Sequence, residues 1–112
     1  MSLTYLASPY TPVNGESVPD RVDAACKVAA QLMAHGPVFS PIAHSHAIAD
    51  HMPEAMRWDH EHWMTQDLAI LAHCSRVVVL KLPGWENSRG VLREITEAID
   101  LGIPVEYMAW PA

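Results

Sequence analysis

The sequence predicts a small α/β domain: a doubly wound, Rossmann or flavodoxin-like three-layer sandwich built on a parallel sheet of four to five strands. Three observations carry this. Short strand-like runs alternate with longer helical patterns along the whole chain, the arrangement that builds right-handed crossovers between parallel strands. The run Val77-Val78-Val79-Leu80 is apolar without alternation, as expected of a strand covered on both faces. With 112 residues, the chain suits one domain over 1–112 with one core.

The elements follow in order. Leu3 to Ala7 is rich in strand formers, and the turn-dense stretch Ser8 to Gly15 after it marks a loop at the strand's carboxyl end. Ser17 then caps a helix, with Pro19 in its first turn and Asp20 three residues on. Val18, Val22, Ala25, Cys26, Ala29 and Met33 form its apolar stripe, and Gly36 ends it. Pro37 to Ser40 is a second strand, and Pro41 to Ala47 a loop or short helix. Residues 53–74 carry a helical pattern whose polar part, Trp58 to His62, is either loop or interface. Arg76 to Leu80 is the third strand. Ser88 to Leu101 is a helix closed by Gly102, with Val91, Ile95, Ala98 and Ile99 toward the core, and Ile103 to Met108 is the fourth strand.

Composition narrows the partners. Seven Lys and Arg stand against thirteen Asp and Glu, a formal charge of −6, with no basic cluster. Nucleic-acid polymers and anionic membrane surfaces both need such a footprint, so neither is an expected partner. A small phosphorylated ligand is compatible, because helix-end N–H groups bind anions without net positive charge. Cys26 and Cys74 fall inside apolar helical patterns and read as small hydrophobes, neither disulfide partners nor nucleophiles. The start of the chain has no signal-peptide pattern and no run is long enough to span a membrane, so the expected location is the cytoplasm.

In doubly wound sheets ligands bind beyond the carboxyl ends of the strands. Those ends are Ser8 to Thr11, Ser40 to His46 and Lys81 to Ser88. They put Ser8, Pro9, Tyr10, His44, Trp85, Asn87, Ser88 and Gly90 forward as substrate-binding candidates, with Trp85 as an aromatic over the site. The stretch Ser88-Arg-Gly90-Val-Leu-Arg-Glu94 is the most informative. It sets a hydroxyl and a glycine at a helix N-terminus, where free N–H groups and the helix dipole favour an anion, and a carboxylate about one turn further in. Phosphate pocket and carboxylate together suit chemistry on a nucleotide.

Two carboxylates resist a plain reading. Glu94 lies on the shoulder of its helix's apolar stripe, and Asp67 shares a face with Met64, Leu68 and Leu71. Each alone reads equally as a satisfied boundary residue. As a pair they match retaining glycosidic chemistry, in which a carboxylate nucleophile and an acidic group stand roughly 5 Å apart.

With these residues in hand, the chain resembles the nucleoside 2-deoxyribosyltransferase-like superfamily, and within it a group of small bacterial and phage proteins of the DUF1937 type. The resemblance rests on Tyr5-Leu-Ala-Ser-Pro-Tyr10, on Asp67 with the helix end and strand that follow, and on Ser88-x-Gly90-x-x-x-Glu94. It implies that Glu94 is the nucleophile at the anomeric carbon, that Asp67 assists proton transfer at the base, and that Tyr5 orients Glu94. It also implies a homodimer or higher homo-oligomer, for which Trp58, Trp63 or Tyr107 could serve. Transferases acting on free nucleosides tend to carry an aspartate where this chain has Ser88, whereas nucleotide hydrolases use the serine to hold the 5′-phosphate. The resemblance therefore points to N-glycosidic cleavage of a nucleoside 5′-monophosphate without a cofactor. Base exchange by a deoxyribosyltransferase and a non-catalytic nucleotide-binding module are the alternatives.

Seven histidines, among them His44-x-His46 and His60-x-His62, raise the rival idea of a metal site. Ligand pairs on a helix stand three or four apart to share a face, which this spacing does not do. No metal is expected.

Overall fold

The computed structural model describes residues 2–13 and 15–111. Four strands, β1 (Thr4–Ala7), β2 (Val38–Phe39), β3 (Arg76–Lys81) and β4 (Val105–Ala109), form one all-parallel sheet in the order β2-β1-β3-β4. The chain moves from β1 to one edge and then returns to build the other half, so the order reverses between β1 and β3. That reversal opens a crevice at their carboxyl ends.

Both central strands are buried on two faces, as the unbroken apolar run predicts. With Tyr5 paired to Val77 and Ala7 to Val79, these four residues share the face packed against Leu71, Val91 and Ala98. Leu6, Val78 and Leu80 point the other way onto Ala24 and Val28 of α1 (Val18–Met33). The result is three layers, with α4 (His60–Leu71) and α5 (Arg89–Asp100) opposite α1. Edge strand β4 is joined to its neighbour by Arg76, whose Nη1 meets Glu106 Oε2 at 2.9 Å, and it leaves Tyr107 half exposed.

Local chemistry explains the helix boundaries. Ser17 and Asp20 cap α1 reciprocally: the Ser17 hydroxyl accepts from Asp20 N–H and the Asp20 carboxylate from Ser17 N–H. The stretch expected as a loop or short helix is a helix, α2 (Pro41–Ala49), with Ser40 as its cap and Pro41 in its first turn. The single pattern over 53–74 is two helices. Short α3 (Glu54–Arg57) ends before Trp58, and Asp59 restarts the chain as α4 by accepting from the N–H groups of Glu61 and His62. Arg57 donates to the carbonyls of Ala49, Asp50 and Met52, satisfying the end of α2. Because α4 stops at Leu71, Cys74 lies in the turn beyond it, buried, with its Sγ toward the Ile70 carbonyl.

Two apolar stripes differ from expectation. In α1 the buried face is Arg21, Ala24, Ala25 and Val28, while Cys26 and Met33 are exposed. Small alanines bring the helix close to the sheet, and Arg21 fills the end of that face by donating to Glu16 and to the Pro83 carbonyl. In α5 the buried positions are Val91, Glu94 and Ala98, and Ile99 is 65% exposed. Hydrophobicity alone would bury Ile99, but the helix turns a carboxylate inward instead.

The loop after β3 turns at Gly84, whose φ of +86° is left-handed and whose added Cβ would stand 3.2 Å from Val13 Cγ1. Gly84→Ala is therefore expected to cost about 1–2 kcal/mol in chemical denaturation. Gly90→Ala, whose Cβ would meet only Met64 Cε at 3.7 Å, should leave stability unchanged or slightly raised.

Candidate active site

Tyr5, fully buried in the middle of β1, donates its phenolic O–H to Glu94 Oε2 in the second turn of α5. A central strand and the helix of the last crossover, between β3 and β4, are thus joined by one polar contact inside an apolar layer. Asp67 enters the same region from α4, buried with Met64 and Leu71, and its Oδ1 has no hydrogen-bond partner among the described residues.

Burial governs the protonation of all three groups. It pushes the Glu94 carboxyl up to about 8; the Tyr5 hydrogen bond, which favours the charged form, opposes this, and the nearby Asp67 charge adds to it. Burial likewise raises Asp67 to about 6. The Tyr5 phenol is pushed upward by burial and then by the charges of Glu94 and Asp67, so it stays a hydrogen-bond donor throughout the physiological range. Between about pH 6 and 8 the two carboxyls therefore hold one proton between them.

Glu94 and Asp67 open onto a cavity of about 800 Å³, within the range of small-molecule sites. It lies in the crevice between the two halves of the sheet. Ser8, Pro9 and Tyr10 line it after β1, Ile42, Ser45 and His46 from α2, and Arg57, Trp58 and His60 from the α3–α4 junction. Trp63 and Met64 line it from α4. Asn87, Ser88, Arg89 and Gly90 complete it at the start of α5. The Ser88 hydroxyl accepts from Val91 N–H as the helix cap, which leaves its own proton free to donate. Gly90 adds no side chain there, and the Arg89 guanidinium brings a positive charge to the same helix end.

Of the residues singled out in the sequence, Ser8, Pro9, Tyr10, Asn87, Ser88, Gly90, Asp67 and Glu94 converge on this cavity, and Tyr5 stands behind it through Glu94. His44 and Trp85 do not. His44 is exposed and its ring packs on Phe39, with centroids 5.3 Å apart. Trp85 packs on Tyr107 at 5.5 Å and against the core rather than over the site. The wall residue is His46, two positions on, because Ile42, Ser45, His46, Ala49 and Asp50 recur at helical spacing along α2 and His44 falls off that stripe. That spacing was the available signal for His46. Trp58, His60 and Arg89 had none, since only the fold brings them to the crevice.

Among the described residues no three His, Cys, Asp or Glu groups gather as a metal site, and no helix is long and apolar enough to cross a membrane.

Comparison with known proteins agrees with this architecture. A comparison with curated proteins gives no significant match. Among solved structures, a 2-deoxyribosyltransferase from the psychrotolerant bacterium Bacillus psychrosaccharolyticus superimposes with a TM-score of 0.69 at 20% identity. The match covers 96% of this chain and 72% of that one. At that identity the likeness establishes a shared fold. Residues 2–110 match the domain of unknown function DUF1937. The chain belongs to the DUF1937 family and has the fold of a nucleoside 2-deoxyribosyltransferase.

Proposed function

We propose that this protein cleaves the bond between base and sugar of a nucleoside 5′-monophosphate, with Glu94 as nucleophile, Asp67 as proton donor and acceptor, and Tyr5 positioning Glu94. The observation that carries this reading is the buried trio of Tyr5, Glu94 and Asp67 on a cavity whose rim is the N-terminus of α5. In the first step the Glu94 carboxylate attacks C1′, the C1′–N bond breaks, and the departing base takes the Asp67 proton. In the second, ionised Asp67 takes a proton from water as the oxygen attacks C1′, releasing sugar phosphate and Glu94. One carboxylate and one acid are needed at the outset, the proton count the pair holds between about pH 6 and 8. At rest that proton sits on Glu94, whose carboxyl is pushed up to about 8 against about 6 for Asp67, so the reaction runs through the form in which it has passed to Asp67. The Tyr5 bond, which favours the charged form of Glu94, lowers the cost of that form. Ser88, the Arg89 guanidinium and the free N–H groups of α5 suit the 5′-phosphate.

A second free base in place of water would make the same site a transferase, a reading favoured by the fold shared with a 2-deoxyribosyltransferase. Our reading also includes a homo-oligomer, with Trp58 and Tyr107, 69% and 51% exposed, as aromatic surface for a second copy to cover. Sedimentation as a monomer would remove that part.

Incubation with ribo- and deoxyribonucleoside monophosphates, with and without a second base, is expected to release free base. Glu94→Gln should abolish release, and incorporation of the added base would mark a transferase. Base release that persists in Glu94→Gln would refute the nucleophile. Absence of release, with nucleotide still bound, would leave a binding module. The same substitution is expected to stabilise the fold at neutral pH. The buried Glu94 acid titrates at about 8 against an ordinary 4.5, so its contribution is complete below about 4.5 and lost as pH rises towards 8. Glutamine carries no such penalty, so the gain in Tm should be larger at pH 8 than at pH 4.5.

The pH profile of kcat/KM is expected to be bell-shaped, with limbs near 6 and 8. Tyr5→Phe removes the bond that holds Glu94 down, so the alkaline limb should move upward and the rate fall by about ten- to a hundredfold. An unmoved limb would contradict the positioning role.

A further inference from the structure

One pair of side chains on the cavity wall takes no part in these steps. The Tyr10 hydroxyl lies 3.0 Å from His46 Nδ1, joining the segment after β1 to α2, and both residues face the cavity. The phenol keeps its proton, since burial and then the Asp50 charge raise its pKa. Its O–H is a better donor than a neutral imidazole N–H, and it has no other acceptor among the described residues. This favours the arrangement in which Tyr10 donates and Nδ1 accepts, and in that arrangement the ring proton of the neutral imidazole sits on Nε2. The pair thereby offers an N–H donor on the α2 wall, beside Ile42, Ser45, Ala49 and Asp50.

We propose that the Tyr10–His46 pair reads the leaving base, favouring bases with an oxo group at the edge they present over bases with an amino group there. The inference rests on the nucleotide reading above. Phosphate at the start of α5 and C1′ at Glu94 leave the base to extend beside Asp67 toward α2. There an oxo oxygen accepts from Nε2–H. An amino group sets donor against donor, and a donor left unpaired in a closed site weakens binding strongly. A sugar hydroxyl, which can donate or accept, would satisfy either tautomer and give no such discrimination.

Calorimetric binding to the Glu94→Gln protein, which keeps nucleotide intact, tests this with inosine against adenosine 5′-monophosphate and uridine against cytidine 5′-monophosphate. The oxo member of each pair is expected to bind at least about tenfold more tightly. Adding Tyr10→Phe frees the imidazole tautomer, and His46→Gln replaces the ring with an amide that can turn either edge to the ligand. Each should bring the ratio near one by letting the amino-base nucleotides bind more tightly while the oxo-base nucleotides bind about as before. A lost fold in one variant leaves the other to decide.

Equal affinities in the parent, a ratio unchanged in the variants, or an equal loss for both bases would overturn the proposal. Base release by the unsubstituted protein would then leave the glycosidic reading standing. Failure of all four nucleotides to bind would overturn both.

Discussion

The contact between Tyr5 and Glu94 is the constraint around which this small domain is arranged. A carboxyl that is 4% exposed in an apolar layer is costly unless it is neutral or hydrogen-bonded, and here a fully buried phenol supplies the bond. To make it, β1 must lie beside the strand that α5 follows, which the β2-β1-β3-β4 order ensures by placing β1 next to β3. Asp67 adds a second buried carboxyl from α4, and burial lifts both acids out of the ordinary carboxylate range to values on either side of neutrality. A sequence chosen for stability alone would place aliphatic residues at both positions, as it does around them at Val91, Ala98, Met64 and Leu71.

Outside that cluster the fold is held by familiar forces. Two apolar layers pack the sheet, α1, α2, α4 and α5 each begin on a side-chain cap, and the surface pair Arg93–Glu61 at 2.6 Å joins α4 to α5. Such an exposed pair contributes little energy, yet it joins the two helices that carry the acids. The cavity lies above the layers at the sheet's reversal, so its walls come from loops and helix ends and can vary without disturbing the core.

Much of this was legible in the residues. Strand-helix alternation and the run Val77 to Leu80 give the parallel sheet, and Ser88 to Glu94 marks a helix start with a carboxylate turned inward. The roles proposed for Tyr5 and Asp67 rest on the family resemblance, because no local pattern links residues so far apart in sequence. What was not legible has physical reasons. The break between α3 and α4 depends on Asp59 accepting two backbone N–H groups, which competes with a helical pattern that continues through it. The α2 wall was hidden because Pro41 reads equally as a loop and as a first helical turn. Ile99 and Glu94 exchange the places that hydrophobicity assigns them, and Trp85 packs on Tyr107 of edge strand β4, a partner only the folded sheet brings to it.

Arg57 has a mechanical meaning beyond its hydrogen bonds. Its guanidinium grips three carbonyls where α2 ends, and its own carbonyl accepts from Trp63 Nε1–H at 2.8 Å in α4. One residue thus clasps two segments of the cavity wall that belong to different helices. The His46 side of the crevice and the Trp63 side behave as a single stiff bracket hinged on polar bonds, so a ligand that displaces one wall carries the other with it.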